Sequence, residues 1–240
     1  MEKRSMIIPL EKTNKRKLYQ TNRESYSTNN ISKISKIYDE KINVLILKRE
    51  LNNKFFDIAK KIFIKKPNLK FSKVLSPYEV EESLINAIGF EKKLFPIFED
   101  IFFLSSIFSD LFDVKKIWLR INTINHPMCP RFHVDNVKCR LVSTYFGPGM
   151  QWLPNNSVNR SKLGLINHGI DDEKSGVFES KNDIKQLDLG DVAFLKGDAW
   201  SGNAGLGAVH RSPHSQKNYK RMYVRIDFSD IKLNRRYFND

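Results

Sequence analysis

Gly190-Asp191-Val192-Ala193-Phe194-Leu195-Lys196-Gly197-Asp198 reads as a turn, a short apolar run and a second turn. A run this short, bounded on both sides by Gly-Asp, predicts a buried strand. The same texture recurs outward from it. Downstream, Gly207-Ala208-Val209-His210 and Arg221–Phe228 predict two further strands. Upstream, Ile117–Ile121, Arg131–Asp135 and Arg140–Phe146 predict three more, the last closed by Gly147-Pro148-Gly149. A polar stretch over 155–185 separates the two groups. Many short strands punctuated by Gly and Pro predict a sandwich or barrel from Val114 onward.

Towards the N-terminus the period changes. Ile42–Leu47 is short and β-branched and predicts a strand. Phe55, Ile58, Ala59, Ile62 and Phe63 then recur at helical spacing, before Pro67. Ser76-Pro77-Tyr78-Glu79 has the form of a capping box with Pro at the first helical position, opening a helix towards Ile88. Residues 92–112 carry Leu94, Ile97, Ile101, Leu104, Ile107 and Leu111 at intervals of three or four and predict another helix. Residues 1–36 are polar, with Ser/Asn clusters and little periodicity. They are expected to form a flexible basic arm whose removal leaves thermal stability unchanged. The organisation expected is one globular domain: the arm over 1–36, a mostly helical part over 37–113 packed on the core, and a β-rich part over 114–240.

Residues 1–75 hold 19 Lys+Arg against 7 Asp+Glu and so carry +12 of the chain's net +14. A basic N-terminal third is a potential attractant for nucleic acid, although no aromatics interleave with the charges and an Asn-, Lys- and Ile-rich composition accounts for it equally. No run reaches the roughly 18 apolar residues of a membrane span, which argues against a membrane partner. Two cysteines, Cys129 and Cys139, make no disulfide framework and fit a reducing compartment. A cytoplasmic protein is expected.

Alternate side chains of a strand share a face about 7 Å apart, so His133 and Asp135 are expected to point the same way. A second imidazole would complete a facial set of two histidines and one carboxylate, which suits iron(II) and leaves positions open for other ligands. His210, ending a short apolar strand, is the candidate. It lies 77 residues beyond His133, which leaves room for intervening strands. His126, His168 and His214 fall in expected loops, and Cys129 is too far along an extended chain to share the metal.

The order His133-x-Asp135, Gly190-Asp-Val-Ala-Phe-Leu195, His210 and Arg221/Arg225 resembles the iron(II)/2-oxoglutarate-dependent dioxygenase superfamily over residues 114–230. Four longer motifs are similar to an uncharacterised bacterial family, domain of unknown function eighteen-twenty-six: Cys129–Asp135, Gly147-Pro-Gly-x-x-Trp-Leu153, Gly190–Gly197 and Gly207-Ala-Val-His-Arg-Ser-Pro213. The superfamily resemblance implies an α+β fold: a double-stranded β-helix (jelly-roll or cupin-like) core with the N-terminal helices packed on it. It also implies His133, Asp135 and His210 as metal ligands, Fe(II) as the metal, and 2-oxoglutarate as cosubstrate. A basic residue after the distal histidine would bind the far carboxylate of 2-oxoglutarate. Arg221 and Arg225, 11 and 15 residues beyond His210 and on one face by alternation, both qualify, with the spacing favouring Arg221. Arg131, Tyr145 and Trp152 are candidates for lining a pocket. Three functions stay open: an oxygenase acting on a small-molecule substrate, a non-catalytic zinc- or iron-binding protein of metal homeostasis, and a nucleic-acid-acting variant supported only by the basic N-terminus.

Overall fold

Strand alternation at Arg221–Phe228 sorts side chains to two faces, and most of the architecture follows from what covers each. In the computed structural model, which describes residues 23–164, 169–213 and 219–230, this segment is β10. It lies antiparallel between β4 (Ile117–Ile124) and β5 (Cys139–Phe146). Four more strands extend the sheet: β1 (Glu24–Thr28), β2 (Ile42–Leu47), β3 (Lys70–Leu75) and β8 (Val192–Lys196). The order across the seven is β1-β2-β8-β5-β10-β4-β3. A second sheet holds β7 (Lys185–Gln186), β6 (Gln151–Trp152) and β9 (His210–Arg211), in that order.

One face of the large sheet is covered by helices. Helix α1 (Asn53–Lys65) begins where the Asn52 side chain accepts a hydrogen bond from the Phe55 amide, and it buries Phe55, Ala59, Ile62 and Phe63. Helix α2 (Val80–Ile88) follows the expected capping box. The Glu79 carboxylate accepts from the Ser76 amide and hydroxyl, across a short 3-10 turn. Helix α3 (Phe95–Phe112) buries Ile97, Phe98, Ile101, Leu104, Phe108 and Phe112. Its seam drifts from the expected one, since Ile107 and Leu111 are only half-buried. Against these helices lie Met222, Val224, Ile226 and Phe228, with Leu119, Ile121 and Leu141 from the neighbouring strands. The opposite face carries Arg221, Tyr223, Arg225 and Asp227. Part of it, with Val142, Ala193 and Leu195, packs against Trp152 of the small sheet. The result is a mixed α/β fold: helices, a large sheet and a small sheet in three layers.

Two expectations about the N-terminal half need correction. The first is the arm over 1–36. Residues 1–22 lie outside the described residues, but Glu24–Thr28 form a strand parallel to β2, and Ile31–Tyr38 form a 3-10 helix that buries Ile37. Only alternate residues of this strand are even half-buried, so its composition reads as polar although its main chain is paired. The boundary at 113/114 also fails to separate helices from sheet, because β2 and β3 belong to the large sheet. The polar stretch over 155–185 is not empty of structure: Val177 and Phe178 from it pack with Phe132, Leu153 and Val209 in a separate cluster. Among the described residues no helix is long and apolar enough to cross a membrane.

Candidate metal centre

His210 lies in β9 opposite Trp152 of β6. On its other side it pairs with His133 through a single antiparallel bridge, each amide donating to the other's carbonyl at 3.0 Å. The expected strand Arg131–Asp135 is reduced to that one bridge. The local reason is a switch of partners: the Phe132 amide donates to the Asp172 carboxylate, and the Asp135 carbonyl accepts from the Asp198 amide at 3.0 Å. The bridge nonetheless sets the two imidazoles side by side, with ring centroids 4.6 Å apart.

Both rings are held by their own main chain. His133 Nδ1 lies 2.8 Å from the Arg131 carbonyl oxygen, and His210 Nδ1 lies 3.0 Å from that of Ala208. A carbonyl only accepts, so each Nδ1 carries the proton and each Nε2 presents a lone pair. Those lone pairs face Asp135: His133 Nε2 is 3.8 Å from Oδ1 and His210 Nε2 is 3.1 Å from Oδ2. One ligand atom from each residue falls within 4.8 Å of the other two. Burial, with His210 beside it, pushes His133 down to about 4, so its ring is neutral near pH 7. Burial works against a charge on Asp135, but the Arg140 guanidinium beside it outweighs this and holds the carboxyl well below the usual carboxylate range. In that tautomer two nitrogen lone pairs and a carboxylate oxygen converge, and this donor set suits a first-row metal.

The backbone around Asp135 is clamped from one side. The amides of Gly197, Asp198 and Ala199 donate to the carbonyls of Lys138, Asp135 and Val137 at 3.0, 3.0 and 3.2 Å. A Cβ at Gly197 would overlap the Val137 and Asp135 carbonyl oxygens, so this approach requires glycine. From the other side, the buried Arg211 next to His210 donates to Asp172, the carboxylate that also accepts from Phe132. The segments carrying His133 and His210 therefore share one buried acid.

Behind the triad runs a chain of charges that sequence reasoning missed. Arg140 pairs with Asp135 and donates from Nε to Asp227 at 2.8 Å; Arg120 pairs with the other oxygen of Asp227. Asp227 is fully buried. Burial, with Arg225 and Arg140 nearby, lowers Arg120 to about 10 even with Asp227 beside it. The signal available in the sequence is that Arg140, Arg120 and Asp227 occupy alternate positions of strands whose other face is apolar.

The remaining predicted residues divide. Arg221 is 3% exposed, donates to Thr144 Oγ1 at 2.9 Å and lies 4.5 Å from the Tyr223 ring centre. No carboxylate among the described residues pairs with it, and its Nε is buried without a hydrogen-bond partner. Burial lowers its guanidinium below the ordinary arginine value. Arg225 shares the face, is half-buried, and also has a partnerless Nε. Trp152 packs between the sheets beside His210. Arg131 is half-buried and supplies the carbonyl that orients His133. Tyr145 is a correction. Alternation along β5 turns it to the helix face, where it stacks on Phe55 and donates to Asp100, so it lines no pocket at the triad. Lys196 also faces the helix side, donating to the Asp39 carbonyl. His126 is exposed, and His168 and His214 lie outside the described residues.

A family model described as a protein of unknown function (DUF1826) matches residues 28–227. Comparison with curated proteins returned no match. Among solved structures, the rice dioxygenase for auxin oxidation is similar at 11% identity and a TM-score of 0.48, over 86% of this chain and 82% of that one. The 2-oxoglutarate complex of the Arabidopsis thaliana enzyme for auxin oxidation gives 10% and 0.46, over 86% and 92%. A full-length Neurospora crassa protein solved in complex with alpha-KG and thymine gives 11% and 0.44, over 86% and 85%. These are likenesses in outline, and the chemistry is read from the side chains of this chain alone.

Proposed function

The chain belongs to the DUF1826 family, and from that premise we propose that it is a non-haem iron(II)/2-oxoglutarate-dependent oxygenase. The large and small sheets are read as the two walls of a double-stranded β-helix, with His133, Asp135 and His210 holding iron(II) at its mouth. The observation that carries the reading is the pairing of this triad with Arg221, a buried cation on the inward face that lacks a carboxylate partner among the described residues. A site that only stored zinc needs the triad but not the arginine.

Iron with 2-oxoglutarate and dioxygen supplies the oxidation: one oxygen atom enters a substrate C–H bond and the other enters succinate, with carbon dioxide released. The chain's own residues bind and orient. Arg221 and Thr144 take the far carboxylate of 2-oxoglutarate through charge-assisted hydrogen bonds, using the donor that is otherwise orphaned. The carbonyls of Arg131 and Ala208 keep both histidines in the ligating tautomer. Arg140 keeps Asp135 ionised and fixes its rotamer. The aromatic and aliphatic packing around Trp152 limits water inside the barrel.

The test is anaerobic addition of 2-oxoglutarate to the iron(II) protein, read by the weak visible charge-transfer band of a chelated keto acid. The band is expected, and Arg221→Ala should weaken binding by about 2 kcal/mol or more. If the iron protein ignores 2-oxoglutarate at millimolar concentration while zinc binds tightly, the oxygenase reading fails and a metal-binding role takes its place.

A further inference from the structure

We infer that Arg225 and Arg120 form a second anion site, for a carboxylate, sulfonate or phosphate group carried by the substrate. The inference rests on the oxygenase reading and adds a substrate class to it. The two residues stand directly opposite each other on β10 and β4. Like charges in that relation repel and destabilise a sheet unless an anion lies between them. Each guanidinium also has a buried Nε with no hydrogen-bond partner.

The inward face lacks the acid to satisfy them. It carries Arg120, Arg140, Arg221 and Arg225, with Asp227 as the carboxylate of these strands and Asp135 at the mouth. Asp227 is divided between Arg140 and Arg120. Asp135 pairs with Arg140 and faces the two histidines. No carboxylate among the described residues is bonded to Arg225.

One 2-oxoglutarate molecule does not meet this demand. Arg221 and Arg225 stand four positions apart on β10, about 13 Å at the main chain, with Tyr223 between them and Arg221 against its ring. Their difference in exposure assigns them to different anions. Arg221 is sealed in the interior, as suits a cosubstrate that chelates the metal. Arg225 and Arg120 are half-buried; on the β3 side the Trp118 ring lies 3.7 Å from the Arg120 guanidinium and donates to Ser72. Arg225 is one inward position, about 7 Å, from Asp227, which Arg140 links to Asp135. The substrate class this site fits is a small molecule that carries an oxyanion.

The experiment uses the full chain loaded with iron(II) and 2-oxoglutarate under anaerobic conditions, titrated calorimetrically with acetate, methanesulfonate and inorganic phosphate. At least one anion should bind at a single site in the presence of 2-oxoglutarate. Arg225→Gln should weaken it at least tenfold and Arg225→Lys less, while both keep the visible band that Arg221→Gln loses. Preference for acetate identifies a carboxylate substrate, and preference for the others a tetrahedral oxyanion. Absence of anion binding at millimolar concentration, or undiminished binding in Arg225→Gln, overturns the proposal. Loss of the band in Arg225→Gln but not in Arg221→Gln also overturns it, making Arg225 the cosubstrate anchor and leaving the oxygenase reading intact. Conversely, Arg225-dependent anion binding in a protein that never forms the band upholds the anion site and removes the oxygenase.

Discussion

His133 and His210, 77 residues apart in sequence, exchange both of their backbone hydrogen bonds at 3.0 Å each way. The two imidazoles are therefore positioned by main chain, before any metal arrives. Replacing either side chain leaves that bridge in place.

His133→Ala, Asp135→Ala and His210→Ala are each expected to abolish stoichiometric iron binding, measured by metal analysis after anaerobic reconstitution. The histidine variants should unfold in denaturant near the parent's midpoint. Asp135→Ala should cost about 1–3 kcal/mol, because Arg140 keeps only Asp227 as a carboxylate partner. A variant that retains full occupancy would remove its residue from the ligand set.

Asp227→Asn should be among the most destabilising single substitutions on the inward face. It leaves Arg140 and Arg120 short of counter-charge in a fully buried position. Removing one partner of such a cluster costs about 3–5 kcal/mol. Urea denaturation of the metal-free protein reads it directly, and a loss of a few tenths would mean that water screens the cluster.

Gly197→Ala tests the clamp on Asp135. Its Cβ meets backbone oxygens rather than a yielding side chain, so the turn must shift. A loss of about 2 kcal/mol in stability and a roughly tenfold weaker metal affinity are expected together. Lost stability with unchanged affinity would show that the turn supports the fold without positioning the ligand.

Lys196 gives a pH prediction away from the triad. Burial pushes its ammonium down to about 8, against the ordinary lysine value of about 10.4 in the unfolded chain. Between these values the unfolded chain binds more protons than the folded one, so stability from this group rises with pH across that window and is flat below it. Measured as the difference from Lys196→Met, the parent should gain on the order of 3 kcal/mol over this range. A difference that stays level from about pH 8 to 10.5 would contradict the shift.

What the sequence revealed of this architecture, and what it hid, divides on physical lines. Local signals were legible: the cap at Ser76–Glu79, the apolar stripe of α1 and the two faces of β10 all depend on neighbours a few residues away. So was the convergence of His133, Asp135 and His210. The edge strand at Glu24–Thr28 was hidden because parallel pairing to β2 leaves little apolar imprint on its side chains. Tyr145 was misplaced because aromatic character says nothing about which face of a strand it takes. Arg140 and Asp227 went unseen as a pair because 87 positions separate them.

The alternation along β10 also bears on how such a chain can change over time. Met222, Val224, Ile226 and Phe228 answer to the helices and Asp227 to Arg140 and Arg120, while Arg221, Tyr223 and Arg225 answer to whatever enters between the sheets. Selection for folding and selection for ligand thus act on interleaved positions of one eight-residue segment. A library confined to positions 221, 223 and 225 of β10 would diversify what the protein accepts. The helix-facing half of the same strand would be inherited unchanged.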